Sequence, residues 1–197
     1  MEFAYAGVNN PMKLSVVPVK FMTDTYARVK ELYQQSYKED VRVPLPLLLM
    51  LAERKTCHFD AYYDGDTFVG FTHSMEFEHE GYLFYLAIRE DLRSRGYGSA
   101  VLDTIKELYR GKPICMDIEA VDPNADDYEQ RLRRLQFFEK NGFHRTHMHI
   151  QDGSVIYEVV GSDDFFDVYT YANDFNKWMF GLFDVKLIDP KEQAQDS

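Results

Sequence analysis

The segment Tyr82 to Leu102, YLFYLAIREDLRSRGYGSAVL, constrains this chain more than any other. An apolar run of strand character enters a turn rich in arginine and glycine, and a helix starts directly behind it. Gly96 and Gly98 let the backbone turn tightly and approach a ligand without a Cβ in the way. The first turn of the following helix presents N–H groups with no helical carbonyl behind them. The helix dipole adds positive potential at that end, and Arg89, Arg93 and Arg95 stand against only Glu90 and Asp91. Such a turn is a cradle for an anion, and a polyphosphate is its natural guest. The pattern lacks the third glycine of the dinucleotide fingerprint and the Gly-Lys-Ser/Thr of a Walker loop, so NAD and ATP are without their usual residues.

The rest of the chain supplies strands and helices around this turn. MKLSVVPV from Met12 is a β-type run, and Thr23 or Asp24 caps a helix through Ser36 with Tyr26, Val29, Leu32 and Tyr33 on one face. Leu47 to Leu51 belongs to a short helix begun by Pro46. Strands are expected at His58 to Tyr63, Thr67 to Phe77 and Tyr82 to Ile88, joined by the hairpin turns Asp64-Gly65-Asp66 and Glu80-Gly81. Val101, Leu102, Ile105, Leu108 and Tyr109 recur at helical spacing, and Gly111 with Pro113 stops that helix. A strand Ile114 to Val121 and a helix Asp127 to Asn141 follow, then strands His144 to Ile150 and Val155 to Val160 around Asp152-Gly153. This predicts an α/β (α+β) fold with a mixed sheet of about seven strands and helices on both faces.

Charge and composition narrow the partners. Thirty-three Asp+Glu against 22 Lys+Arg give a formal charge of −11, which opposes binding to nucleic acid and suits a cationic partner. The longest apolar stretch, Val43 to Ala52, is far short of the roughly 20 residues a membrane span needs, and it holds two prolines. The amino-terminal MEFAYAGVNN has no basic segment followed by an apolar core, so we expect a cytoplasmic protein without a membrane segment. Cys57 and Cys115 lie in strand-like segments without metal-ligand spacing and are expected to be buried thiols. Strand alternation sets His147 and His149 on one side, but His144, His147 and His149 have no acidic or cysteine third ligand at matching spacing, so no metal is expected and a polar strand face is favoured.

The tail from residue 161 to 197 differs from what precedes it. It packs eight aromatic residues between Phe165 and Phe183 and carries three Lys against eight Asp+Glu. We divide the chain into a domain at 12–160 and an acidic, aromatic-rich extension at 161–197. The extension is expected to pack on the same domain as a closing helix over a sheet edge, with a lid as the alternative.

Arg93-Ser94-Arg95-Gly96-Tyr97-Gly98 resembles the Arg/Gln-x-x-Gly-x-Gly/Ala pattern of the GNAT superfamily of acyl-CoA-dependent N-acyltransferases. Phe137-Phe138-Glu139-Lys140-Asn141-Gly142-Phe143 is similar to that family's Phe-Tyr-Glu-Lys-x-Gly-Phe signature, and the order of elements from Met12 to Val160 matches as well. The resemblance implies a sheet splayed between its fourth and fifth strands, with acetyl-CoA as cosubstrate in the gap. It places the pyrophosphate on backbone N–H groups of Arg95, Gly96, Tyr97, Gly98 and Ser99, with Arg93 and Ser94 in the same turn. It pairs the pantetheine amides with the strand edge at Leu86, Ala87 and Ile88, which is strand addition by a ligand. A backbone N–H of this strand would polarise the thioester carbonyl. Asn124, Phe138 and Lys140 are further candidate cofactor contacts.

The implied reaction is direct attack of a primary amine on the acetyl thioester. An alkylammonium with a pKa near about 10.4 must first lose a proton, so a base is needed. Strand alternation puts Cys115, Asp117, Glu119 and Val121 on one side, and Glu119 is the first candidate. An ion-paired strand face accounts for the same residues. Glu76 and Glu78 are alternatives, or attract the cationic acceptor. Where the family has a tyrosine that protonates the departing thiolate, this chain has Phe138, which has no proton to give; Tyr97, Tyr128 or Tyr157 could replace it, or the thiolate leaves unassisted, since a thiol pKa is modest. The acceptor is expected to be a small amine or a peptide. Two other readings stay open: an acyl-CoA sensor without turnover, and an interaction domain using the aromatic tail. The edge of the last strand is available to a second copy, as in a homodimer, or to the tail.

Overall fold

A computed structural model describes residues 12–152, 155–162, 168–178 and 186–188. The amino-terminal MEFAYAGVNN, Gly153 of the expected last turn, and the tail aromatics Phe165 and Phe183 lie outside the described residues. In chain order the elements are β1 (Ser15–Pro18), α1 (Asp24–Ser36), α2 (Leu45–Leu51), β2 (Cys57–Asp64), β3 (Thr67–Glu76), β4 (Gly81–Ile88), α3 (Tyr97–Leu108), β5 (Ile114–Glu119), α4 (Tyr128–Lys140), β6 (His144–Asp152), β7 (Val155–Gly161), α5 (Val168–Trp178) and β8 (Lys186–Ile188). The strands form one mixed sheet in the order β1-β2-β3-β4-β5-β7-β6-β8. β1 pairs antiparallel with β2, β7 with β5 and β6, and β8 with β6, whereas β4 and β5 run parallel. The parallel register joins Gly81 to Ile114 and Tyr82 to Cys115, and β4 itself continues to Ile88.

Local chemistry explains the boundaries. The Thr23 hydroxyl accepts the Tyr26 N–H at 3.1 Å and donates to Lys20 O at 2.8 Å, so Thr23 caps α1 and Asp24 sits in its first turn. Pro46 lies in the first turn of α2, where a missing N–H costs nothing. β5 ends at Glu119, two residues before the expected Val121, because the chain bends at Asp122, whose carboxylate accepts the Asn124 N–H at 2.9 Å. The first strand is shorter than its β-type run and begins at Ser15.

The sheet is the expected mixed sheet extended by one strand, because Lys186–Ile188 of the extension adds β8, a segment of three residues that is too short to show a period. One expectation is corrected. β7 lies between β5 and β6, so the last strand of the expected set offers no free edge to a second copy, and β8 covers β6 at His149, Ile150 and Gln151. The histidines also depart from simple alternation. The β6–β7 register shifts between Arg145 and His149, and His147 has φ +59°, so a spacing of two no longer sets His147 and His149 on one side.

The chain divides into two compact units, Met1–His73 with Tyr85–Leu108, and Ser74–Phe84 with Tyr109–Ser197. In the first, Tyr62, Val69, Ile88, Leu92 and Val101 form a buried cluster against which Leu14, Leu86 and Tyr97 pack. In the second, Tyr82 of β4 meets Tyr171 and Phe175 of α5 with ring centroids 5.3 Å apart, so the helix of the extension closes an aromatic core. Cys57 and Cys115 are free and buried. Among the described residues no helix is long and apolar enough to cross a membrane.

Candidate functional site

Within the first unit, the strand, turn and helix singled out by the sequence stand together. β4 ends at Ile88, a short 3-10 turn spans Glu90–Leu92, and α3 starts at Tyr97. Between them Ser94 has φ +61° and Gly96 φ +89°. Left-handed residues in a tight turn are a common ingredient of backbone concavities that bind anions. A non-glycine residue at positive φ such as Ser94 is backbone strain, which collects at ligand sites. A Cβ built on Gly96 would meet nothing within 4 Å, so the space over the turn is open. The first helical bond of α3 is Ala100 N–H to Gly96 O at 3.1 Å, which leaves the N–H groups ahead of it without helical carbonyls.

The three arginines divide their work. Arg89 is spent on structure: its guanidinium bonds the Asp91 carboxylate at 2.7 and 3.1 Å and Phe68 O at 3.1 Å, so it adds no net charge to the cradle. Arg93 is exposed and its Nε donates to Ile88 O at 3.2 Å, which anchors the side chain beside β4. Arg95 is exposed. The Tyr97 hydroxyl donates to Asp64 at 2.8 Å, pinning the start of α3 to the end of β2, and that bond raises the phenol's pKa. Gly98 and Ser99 complete the first turn of α3.

The β4 edge carries the other expected contacts. A Cβ on Gly70 of β3 would stand 2.2 Å from Ala87 O, so only glycine lets the two strands approach there. Leu86 behaves differently: its N–H and C=O both bond one side-chain atom, the Tyr37 hydroxyl, at 3.1 and 2.8 Å. Nothing in the sequence pointed to Tyr37, which is the first residue after α1 and belongs to no motif.

The remaining expected residues lie in the second unit. Glu119 accepts Arg134 Nη1 at 2.8 Å and lies 3.8 Å from Arg131, both on α4, and it sits opposite Tyr157 in the β5–β7 register. The ion-paired strand face weighed above is therefore present. Arg131 is itself held by Asp127 at 2.6 Å and Ala120 O at 3.0 Å. Glu76 pairs with Lys112 at 2.9 Å. Asp117 accepts the Tyr82 and Tyr171 hydroxyls and is the most heavily bonded carboxylate on β5. Tyr128 opens α4 and Lys140 closes it, exposed. Phe138 is 6 % exposed, with its ring 5.1 Å from Phe137 and 5.8 Å from Phe143. Asn124 bonds Asp122 through both its N–H and its side-chain amide. Among the described residues no group of three or more His, Cys, Asp or Glu is placed to hold a metal ion.

The model of the acetyltransferase (GNAT) family matches residues 25–143, more than half of the chain. No curated protein matches the chain in sequence. Among solved structures, a protein described as a GNAT-family acetyltransferase from Bacteroides thetaiotaomicron has a TM-score of 0.68 at 21 % identity, covering 87 % of this chain and 99 % of that one. An aminoglycoside 6'-N-acetyltransferase complexed with coenzyme A has a TM-score of 0.57 at 13 % identity, covering 75 % of this chain and 95 % of that one. Naa50 from Arabidopsis thaliana, in complex with a bisubstrate analogue joining CoA to a peptide, has a TM-score of 0.53 at 17 % identity, over 76 % of this chain and 98 % of that one. At these identities the likenesses speak for the fold.

Proposed function

The chain belongs to the acetyltransferase (GNAT) family, and on that premise we propose that it transfers an acetyl group from acetyl-CoA to a primary amine of a cationic acceptor. The observation that carries this reading is the open turn at the head of α3, with Ser94 and Gly96 at positive φ and nothing within 4 Å of a Cβ on Gly96. The coenzyme A complex of the aminoglycoside enzyme supports the same cosubstrate. The net charge of −11 favours a cationic acceptor.

Each part of the site has a task in this reading. The N–H groups of Arg95, Gly96, Tyr97, Gly98 and Ser99 hold the pyrophosphate, and Arg93, fixed through its Nε, turns its terminal nitrogens to the phosphates. Leu86 and Ile88, with Ala87 between them, align the pantetheine along β4, and Asn124, Phe138 and Lys140 remain candidate cofactor contacts. When bound, acetyl-CoA supplies an activated acyl carbon and a thiolate leaving group. Glu119 takes the proton that the acceptor ammonium must lose, directly or through water, and Arg134 holds its carboxylate in place. Glu76, bonded to Lys112, is the second candidate for that role, and Tyr128 is the first candidate to return a proton to the thiolate.

A second reading has one observation in its favour: Phe138 is a buried ring where the family signature has a tyrosine, as expected of an acyl-CoA sensor without turnover. Incubation with acetyl-CoA and a panel of polyamines, aminoglycosides and basic peptides, followed by detection of free thiol, separates the two. Thiol release that depends on one amine class supports the transferase. Tight cofactor binding with no release across the panel supports the sensor.

A further inference from the structure

Tyr37 occupies the part of β4 that, in the function proposed above, belongs to the cosubstrate. Ala87 turns its carbonyl toward Gly70 of β3, and the Arg89 N–H bonds Val69 O at 2.9 Å. Strand alternation turns the polar groups of Leu86 the other way. There the Tyr37 hydroxyl donates to Leu86 O at 2.8 Å and accepts the Leu86 N–H at 3.1 Å. An amide-bearing chain added to a strand edge makes the same two bonds, one to each group of a single residue. The hydroxyl makes both with one atom.

This placement is built into the surrounding structure. Tyr37 follows α1 in extended conformation, and its N–H closes the helix on Tyr33 O at 3.2 Å. Its ring lies 4.8 Å from Tyr85 in an edge-on contact and 5.4 Å from Tyr33. Those two rings are fixed in turn: the Tyr33 hydroxyl donates to Val43 O at 3.0 Å and the Tyr85 hydroxyl to Val41 O at 3.2 Å. The Tyr37 hydroxyl is therefore aimed at Leu86 by the packing of its ring against two anchored tyrosines.

We infer that Tyr37 is the resident occupant of the strand edge where the pantetheine amide of acyl-CoA pairs, and that cosubstrate binding displaces its hydroxyl from Leu86. The inference rests on the acyl-CoA reading and adds an affinity-setting residue to it. Each bond the cosubstrate makes at Leu86 replaces one that the protein already makes, so the strand edge contributes less to affinity than a bare edge does. Ligands that stop at the phosphates do not reach Leu86 and are indifferent to Tyr37.

The test is calorimetric titration of the wild-type protein and Tyr37→Phe, each with coenzyme A and with ADP, which has the pyrophosphate but no pantetheine. The expected result is CoA binding about two- to tenfold tighter in the variant, with ADP affinity unchanged. Equal or weaker CoA binding in Tyr37→Phe overturns the inference while leaving the acyl-CoA reading intact. Failure of the wild-type protein to bind coenzyme A overturns both. A measurement on the wild-type chain alone guards against a variant that does not fold: the NMR signal of Tyr37 labelled at Cζ is expected to move on adding coenzyme A and to stay with ADP. A signal unmoved by bound coenzyme A contradicts displacement.

Discussion

Tyr171 of α5 donates its hydroxyl to the Asp117 carboxylate of β5, 2.8 Å from one oxygen and 2.7 Å from the other, and Tyr82 donates to the same group at 2.7 Å. Burial pushes the pKa of both phenols well above the ordinary value, so both keep their protons and stay donors. Part of the acidic extension is thereby locked to the sheet through a half-buried carboxylate. Tyr171→Phe removes one donor and is expected to cost on the order of 1–3 kcal/mol in denaturant unfolding. The double variant with Asp117→Asn should lose less stability than the two single variants do together. An unchanged unfolding midpoint in Tyr171→Phe contradicts the lock.

Gly96→Ala tests the cradle from its backbone. The new Cβ meets open space, so the cost comes from φ +89° rather than from packing. The turn should relax, and acetyl-CoA affinity should fall about tenfold or more while the melting transition stays cooperative. Gly98→Val, which puts a branched side chain into the first turn of α3, should weaken binding more severely. Wild-type affinity in both variants would remove the phosphate from this turn.

Glu119→Gln separates the two roles its carboxylate can have. As the base, its loss should lower kcat about a hundredfold or more and shift the pH–rate profile, with cofactor affinity preserved. A full rate with a lowered melting temperature would mean that Glu119 serves only the pair with Arg134.

His73 gives the stability a pH dependence. It is fully buried, with Nε2 3.4 Å from Leu48 O, and burial pushes its pKa down from 6.5 to about 4 despite that bond. Between those values the unfolded chain binds a proton that the folded one does not. Stability from this group is therefore complete above pH 6.5 and is lost as pH falls toward 4, by on the order of 3 kcal/mol. Unfolding curves across that range should show the slope in wild type and a flatter one in His73→Gln. Identical slopes would rule His73 out as the cause.

The left-handed turn between β4 and α3 was legible because glycine spacing and the start of a helix are local, and local rules carry from sequence to structure. The capped α1, the hairpin strands and the helix holding Phe138 were legible for the same reason. The histidines of β6 were not, because a bulge at His147 breaks the alternation that the spacing assumed. β8 was missed because three residues carry no period. Tyr37, Tyr171 and Arg134 act through contacts with residues 49, 54 and 15 positions away in the chain, and no local pattern records such pairings. Asp117 was seen as one of two carboxylates on a strand face, but its phenolic partners were not.

Titration calorimetry with acetyl-CoA, NAD and ATP in phosphate-free buffer asks whether the turn from Arg93 to Ser99 and the β4 edge hold acetyl-CoA. Micromolar binding of acetyl-CoA in preference to the two nucleotides is expected. No binding of acetyl-CoA, or binding no tighter than that of NAD and ATP, would take the cosubstrate away from this turn.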